Sequence, residues 1–148
     1  MRDVKFRAWD KVSKKMRVVD SIAFETRQSI FSDGDSRLPK VINVWGRNCI
    51  EDKDIVVRRQ SGEFELMQYT GLKDKNGSEI WESDIIKVRD PYNNCWSTDS
   101  AAVEFSTGYV GGWVISNGAQ NLNLGSRQNH IEVIGNIHDN PELLEGGR

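Results

Sequence analysis

Cysteine, histidine and proline are scarce in this sequence, at 2, 2 and 3 of 148 residues. Cys49 and Cys95 lie far apart and in no Cys-x-x-Cys pair, so neither a zinc ribbon nor a disulfide framework is written here. In a reducing compartment both read as free thiols. His130 and His138 are separated by a strand-length segment, which keeps both from reaching one metal with either cysteine. They read as surface or interface histidines. Apolar runs stop at three or four residues, far short of the roughly 20 needed to cross a bilayer as a helix. The opening MRDVKFRAWD holds no apolar signal-peptide core, so the expected location is the cytoplasm. A Gly-x-Ser-x-Gly elbow, a Walker loop and a dinucleotide fingerprint are all missing. Gly108-Tyr109-Val110-Gly111-Gly112 lacks the following helix that would bind phosphate. No repeat, heptad or low-complexity tract is present.

What is there is a soluble-type composition, 37% hydrophobic and 28% charged. Aromatic and β-branched residues recur throughout, which argues against disorder. Charge is uneven. Residues 1–60 carry 14 Lys/Arg against 9 Asp/Glu, and residues 61–148 carry 6 against 13. Such asymmetry fits a nucleic-acid-facing half, or two surfaces that attract each other within or between copies. The overall pI of about 5.7 is not that of a typical DNA binder.

The segment 67–88, MQYTGLKDKNGSEIWESDIIKV, organises the molecule. Asp74-Lys75-Asn76-Gly77 predicts a hairpin turn of type I′, because Asn and Gly tolerate positive φ. Apolar and aromatic flanks, Met67, Tyr69, Leu72, Ile80, Trp81, Ile85, Ile86 and Val88, predict the strands. A first hairpin is expected over residues 5–25, with Asp10 to Lys15 as its exposed loop and Met16, Val18, Ile22 and Phe24 at a period of two. Residues 26–40 read as a loop, with a turn over 33–36, and 41–46 as a strand. Ile55-Val56-Val57 reads as a short buried strand or a helix end, and Ser61-Gly62 marks the internal boundary. Arg89 to Ser100 reads as a long loop. Ala102–Phe105, Tyr109–Ile115 and Ile131–Ile137 read as strands, with Gly111-Gly112 a bulge or a close backbone approach and 116–129 a polar loop. Asn140-Pro141-Glu142 starts a final helical turn. Many short strands with frequent turns give a mostly β protein of small barrels.

Several clusters invite a chemical reading. The 74–79 loop superficially resembles a calcium loop, but Gly comes fourth rather than sixth and the flanks are strands, so a plain turn is expected. Glu79, Glu82 and Asp84 are expected to form a solvated face, with Asp84 bracing the turn before its strand. Tyr69, Trp81, Tyr109 and Trp113 suit either a peptide groove or the core, and core is the expectation. The most suggestive set is Arg7, Trp9, Lys11, Lys14, Lys15 and Arg17. A cationic rim beside an aromatic tracks phosphate while a base stacks on Trp9. Against that, Trp9 also suits the core, and Asp3, Asp10 and Asp20 are interspersed.

Three blocks carry a family resemblance: KFRAWDKVSKKM (5–16), QYTGLKDKNGSEIWESDIIKV (68–88) and IEVIGNIHDNPELLE (131–145). In that order, over roughly a third of the length, they resemble the opening, central and closing motifs of the YopX family of phage and prophage proteins. Ser83 departs from the pattern, which usually has Gly before Asp84. The resemblance implies an SH3-like small barrel in the second half and no enzyme activity. The reading is a mostly β protein: a basic β-rich part over residues 1–62, then an acidic SH3-like barrel over 63–148 closed by the C-terminal helical turn. The function expected is that of a non-catalytic phage accessory protein in the cytoplasm of a bacterial host cell, with no cofactor and no metal. Its partner is expected to be a second copy of itself or a phage or host protein. Nucleic acid held by the basic hairpin is the alternative.

Overall fold

The computed structural model describes residues 3–25, 40–48, 57–59, 62–89, 96–108, 111–116, 121–126 and 128–145. The two cysteines, the 33–36 turn, Ile55-Val56, Ser61 and Tyr109 fall outside them. The strands are β1 (Phe6–Asp10), β2 (Lys15–Glu25), β3 (Lys40–Asn48), β4 (Val57–Arg59), β5 (Phe64–Lys73), β6 (Glu79–Trp81), β7 (Asp84–Arg89), β8 (Trp96–Ser106), β9 (Gly112–Ser116), β10 (Asn121–Asn123) and β11 (Ile131–Asn136). A 3-10 turn spans Gln128–His130, and one helical turn, α1, spans Glu142–Glu145. The protein is therefore mostly β. Its strands lie in two antiparallel sheets, ordered β4-β3-β2-β1-β5-β6 and β10-β9-β8-β7-β11. Among the described residues neither sheet closes on itself, so the two open sheets do not confirm the expected SH3-like barrel. β10 and β11 are, among the described residues, each hydrogen-bonded to one strand of their sheet and not to each other. Among the described residues no helix is long and apolar enough to cross a membrane.

The protein divides into two compact units, Lys5–Leu66 and Met67–Arg148 together with Met1–Val4. In the first, β1 and β2 form the predicted hairpin, pairing Arg7 with Val18 and Asp10 with Lys15. β2 then pairs along β3, with irregularities at Val19/Ser21 and Ala23/Phe24. The predicted inward row is not kept: Val18 is exposed, while Arg17 is buried. Arg17 turns inward to pair with Asp10 at 3.1 Å, and Val18, next along the strand, therefore points to the opposite, solvated face.

In the second unit a core of Ile80, Ile86, Ala101, Val103, Trp113, Ile115, Leu124 and Ile131 packs with Leu72, Val88, Leu122 and Val133 around it. Each fully buried aliphatic side chain here stabilises the fold by about 1.5–3 kcal/mol. The backbone reverses between β5 and β6 as predicted, but the turn is wider than type I′. Lys73 pairs with Glu79, leaving a five-residue loop, and of its residues only Gly77 has positive φ, 85°. The Asp74 carboxylate takes over the work of the tight turn. Its Oδ1 accepts from Asn76 N at 2.8 Å and Ser78 N at 2.9 Å. The expected loop before Ser100 is partly strand, since β8 starts at Trp96 and pairs with Arg89 of β7. Turn-forming residues there were overridden by the ladder. β10 and the 3-10 turn likewise lie within the expected 116–129 loop. Gly112 opens β9 with φ 114° and pairs with Ser106 without a shift of register, so it lies at the start of the strand and is not a bulge inside it. The C-terminal turn begins as predicted, with Leu143 N donating to Asn140 O and Leu144 N to Pro141 O.

Candidate functional site

The basic hairpin loop, residues 10–17, is built on one carboxylate. Asp10 is 1% exposed. Its Oδ1 accepts from the backbone N–H of Val12 at 3.0 Å and of Ser13 at 3.1 Å. Its Oδ2 accepts from Ser13 Oγ at 2.7 Å and Arg17 Nε at 3.1 Å. Arg17 also donates from its guanidinium to Ser13 Oγ at 3.0 Å. Four bonds to one carboxylate satisfy a buried charge that would otherwise be costly. They also curl the backbone so that Lys14 N donates to Asp10 O at 2.8 Å, with Lys14 in the left-handed region at φ 55°. An aspartate accepting from the residues two and three ahead is a local motif legible as Asp-x-x-Ser. The pairing with Arg17 is what sequence reasoning missed.

The six residues expected to act together are split by this arrangement. Trp9 is 7% exposed, so its ring is packed and offers no stacking face. Arg17 is buried against Asp10. Arg7 and Lys15 are half-buried, and Lys11 and Lys14 are exposed at the tip. Lys11 Nζ lies 3.6 Å from Glu65 Oε2, and Lys11 N donates to Glu63 O. Val12, between the two exposed lysines, is 63% exposed. The loop thus presents an apolar side chain flanked by cations on a backbone already held in place.

The other clusters are structural in their contacts. Glu79, Glu82 and Asp84 do not form the expected solvated face: the two glutamates are half-buried, and Asp84 is buried, its Oδ2 accepting from Trp81 N at 2.8 Å as the expected brace. Glu82 Oε2 accepts from Gln68 N at 3.2 Å. Asp74 reaches across the unit to accept from Val133 N at 3.1 Å. Of the aromatics, Tyr69 and Trp113 are buried and Trp81 is half-buried. Tyr69 and Trp81 stack at 5.3 Å, tilted by 48°. Trp113 meets Phe105 edge-on at 5.1 Å, and Phe105 itself is 56% exposed. Among the described residues no three His, Cys, Asp or Glu are placed to hold a metal ion.

Two solved structures share this architecture. The protein EF1440 from Enterococcus faecalis is 25% identical, with a TM-score of 0.59, covering 97% of this chain and 99% of its own. The protein yopX from Bacillus subtilis is 20% identical, with a TM-score of 0.58 and the same coverage. No curated protein matches the sequence. The model of the YopX protein family matches residues 5–145, nearly the whole length, and the chain belongs to that family.

Proposed function

We propose that this is a non-catalytic phage accessory protein that works by binding protein, either a second copy of itself or a phage or host protein, in the bacterial cytoplasm. The phage setting rests on the resemblance of the three sequence blocks. The observation that carries the binding role is the tip of the first hairpin. Val12 stands exposed between Lys11 and Lys14, while the Asp10 network fixes the loop beneath it. A preorganised loop loses little conformational freedom on docking, and an apolar side chain ringed by charge is the pattern of a protein contact. The basic first part and acidic second part favour head-to-tail association of copies. Size-exclusion chromatography with light scattering tests self-association. A mass above the monomer that falls with Val12→Ser supports it, and a monomer at every concentration leaves only a different protein as partner.

Nucleic acid is the second reading, favoured by the exposed Lys11 and Lys14. It is the weaker one, because Trp9 is packed and the Arg17 charge is already compensated by Asp10. Fluorescence anisotropy with single- and double-stranded oligonucleotides decides it. Binding that weakens steeply with salt and with Lys14→Glu/Lys15→Glu supports this reading; salt-independent binding or none removes it.

A further inference from the structure

Asn-Gly is the dipeptide in which a backbone nitrogen most easily attacks the preceding side-chain amide, since glycine has no Cβ to hinder approach. Asn76 and Gly77 sit at the exposed tip of the loop between β5 and β6. Around Gly77 there is open space: a Cβ built there meets nothing within 4 Å. Access is therefore unobstructed, yet the nucleophile is held back. The Gly77 N–H donates to Asp74 O at 3.0 Å, and the Asn76 N–H to Asp74 Oδ1 at 2.8 Å. Attack requires the Gly77 nitrogen to lose its proton and turn toward Asn76 Cγ. Both motions break the bond from Gly77 N–H to the Asp74 carbonyl, and the Asp74 carboxylate, accepting from the Asn76 and Ser78 N–H groups, holds the loop in the shape that forms it.

We propose that Asn76 is a site of spontaneous deamidation gated by the Asp74 brace, reacting only when the loop opens. Hydroxide removes the Gly77 amide proton, and the nitrogen forms a bond to Asn76 Cγ. The bond from Asn76 Cγ to Nδ2 breaks and ammonia leaves, closing a five-membered succinimide. Water then opens the ring at either carbonyl, leaving aspartate or isoaspartate at position 76. The balance is amide plus water giving carboxylate plus ammonium, with no change of oxidation state.

The loop is also tied to β11, which gives the modification a consequence. Lys75 N donates to Ile131 O at 3.1 Å, Val133 N donates to Asp74 Oδ2 at 3.1 Å, and Lys75 Nζ pairs with Glu132 at 2.9 Å. The other side of β11 is paired with β7. The loop thus covers backbone groups on the strand's open side. Isoaspartate lengthens the backbone by one carbon and places a new charge beside the Asp74 carboxylate. That geometry releases the cover and leaves a sheet edge able to pair with another strand.

The test incubates the full-length protein at mildly alkaline pH, folded and in denaturing urea, and follows peptide mass gain of about 1 Da at Asn76. Asn117-Gly118, the other Asn-Gly in the sequence, is scored separately. Conversion at Asn76 is expected in urea and is slowed at least about tenfold in the folded protein. Asp74→Ala is expected to bring the folded rate close to the rate in urea. No conversion in urea, equal rates in both states, or an Asp74→Ala variant that folds and reacts no faster would each overturn the proposal. Should that variant fail to fold, amide exchange in the unchanged protein decides: Gly77 must be protected, and an unprotected Gly77 amide overturns it.

Discussion

Ser83 shows how one residue reports on backbone geometry. Its φ is 66°, in the left-handed region where a Cβ is strained. Its N–H donates to Val103 O and its C=O accepts from Ile137 N, so the conformation is pinned from two sides. A glycine there is physically favoured, which accounts for the glycine that the YopX pattern usually has at this position. Ser83→Gly is expected to stabilise the protein by about 0.5–1 kcal/mol, read as a higher melting temperature. A lower one would mean that the serine hydroxymethyl group stabilises by more than the strain costs. Asp10 makes the opposite point. Asp10→Ala leaves Arg17 buried without its carboxylate and is expected to cost about 3–5 kcal/mol in urea unfolding. Asp10→Ala/Arg17→Met is expected to recover much of that loss, because removing both partners leaves no uncompensated charge.

At the scale of elements, the packing of β11 against the C-terminal turn leaves no room at Gly135. A Cβ there would lie 2.5 Å from Asn140 Oδ1 and 3.0 Å from Leu143 Cδ1. The register also shifts between Val133 and Gly135, so the strand bends at this point. Gly135→Ala is therefore expected to destabilise by about 1–3 kcal/mol and to loosen α1, seen as faster amide exchange at Leu143 and Leu144. Unchanged exchange there would show that the helical turn yields without cost. The reversal at 74–78 was legible because Asn-Gly and the alternating flanks are local signals. Its width was not, because the bond from Val133 to Asp74 joins residues 59 apart in sequence. The same holds for β8, whose start, Trp96 to Ser100, reads as loop and becomes strand because β7 pairs with it.

For the whole molecule, stability is expected to concentrate in the core of the second unit. Leu124 and Ile131 are fully buried there, one just after β10 and the other at the start of β11. Leu124→Ala is expected to cost about 2–5 kcal/mol in chemical unfolding, the larger values applying if the site cannot collapse. A cost under about 1 kcal/mol would mean that the surroundings of Leu124 refill the space.

The mostly β character, the first hairpin, the reversal before Ile80, the closing helical turn and membership in the YopX family were all written in the order of residues, because each is carried by neighbours along the backbone. Folding in three dimensions decided the rest: among the described residues neither sheet closes, Trp9 and Arg17 turn inward, and Asp74 fastens its loop to β11. Those outcomes depend on which distant strands share hydrogen bonds and on where a buried charge finds its partner, and local patterning does not encode either.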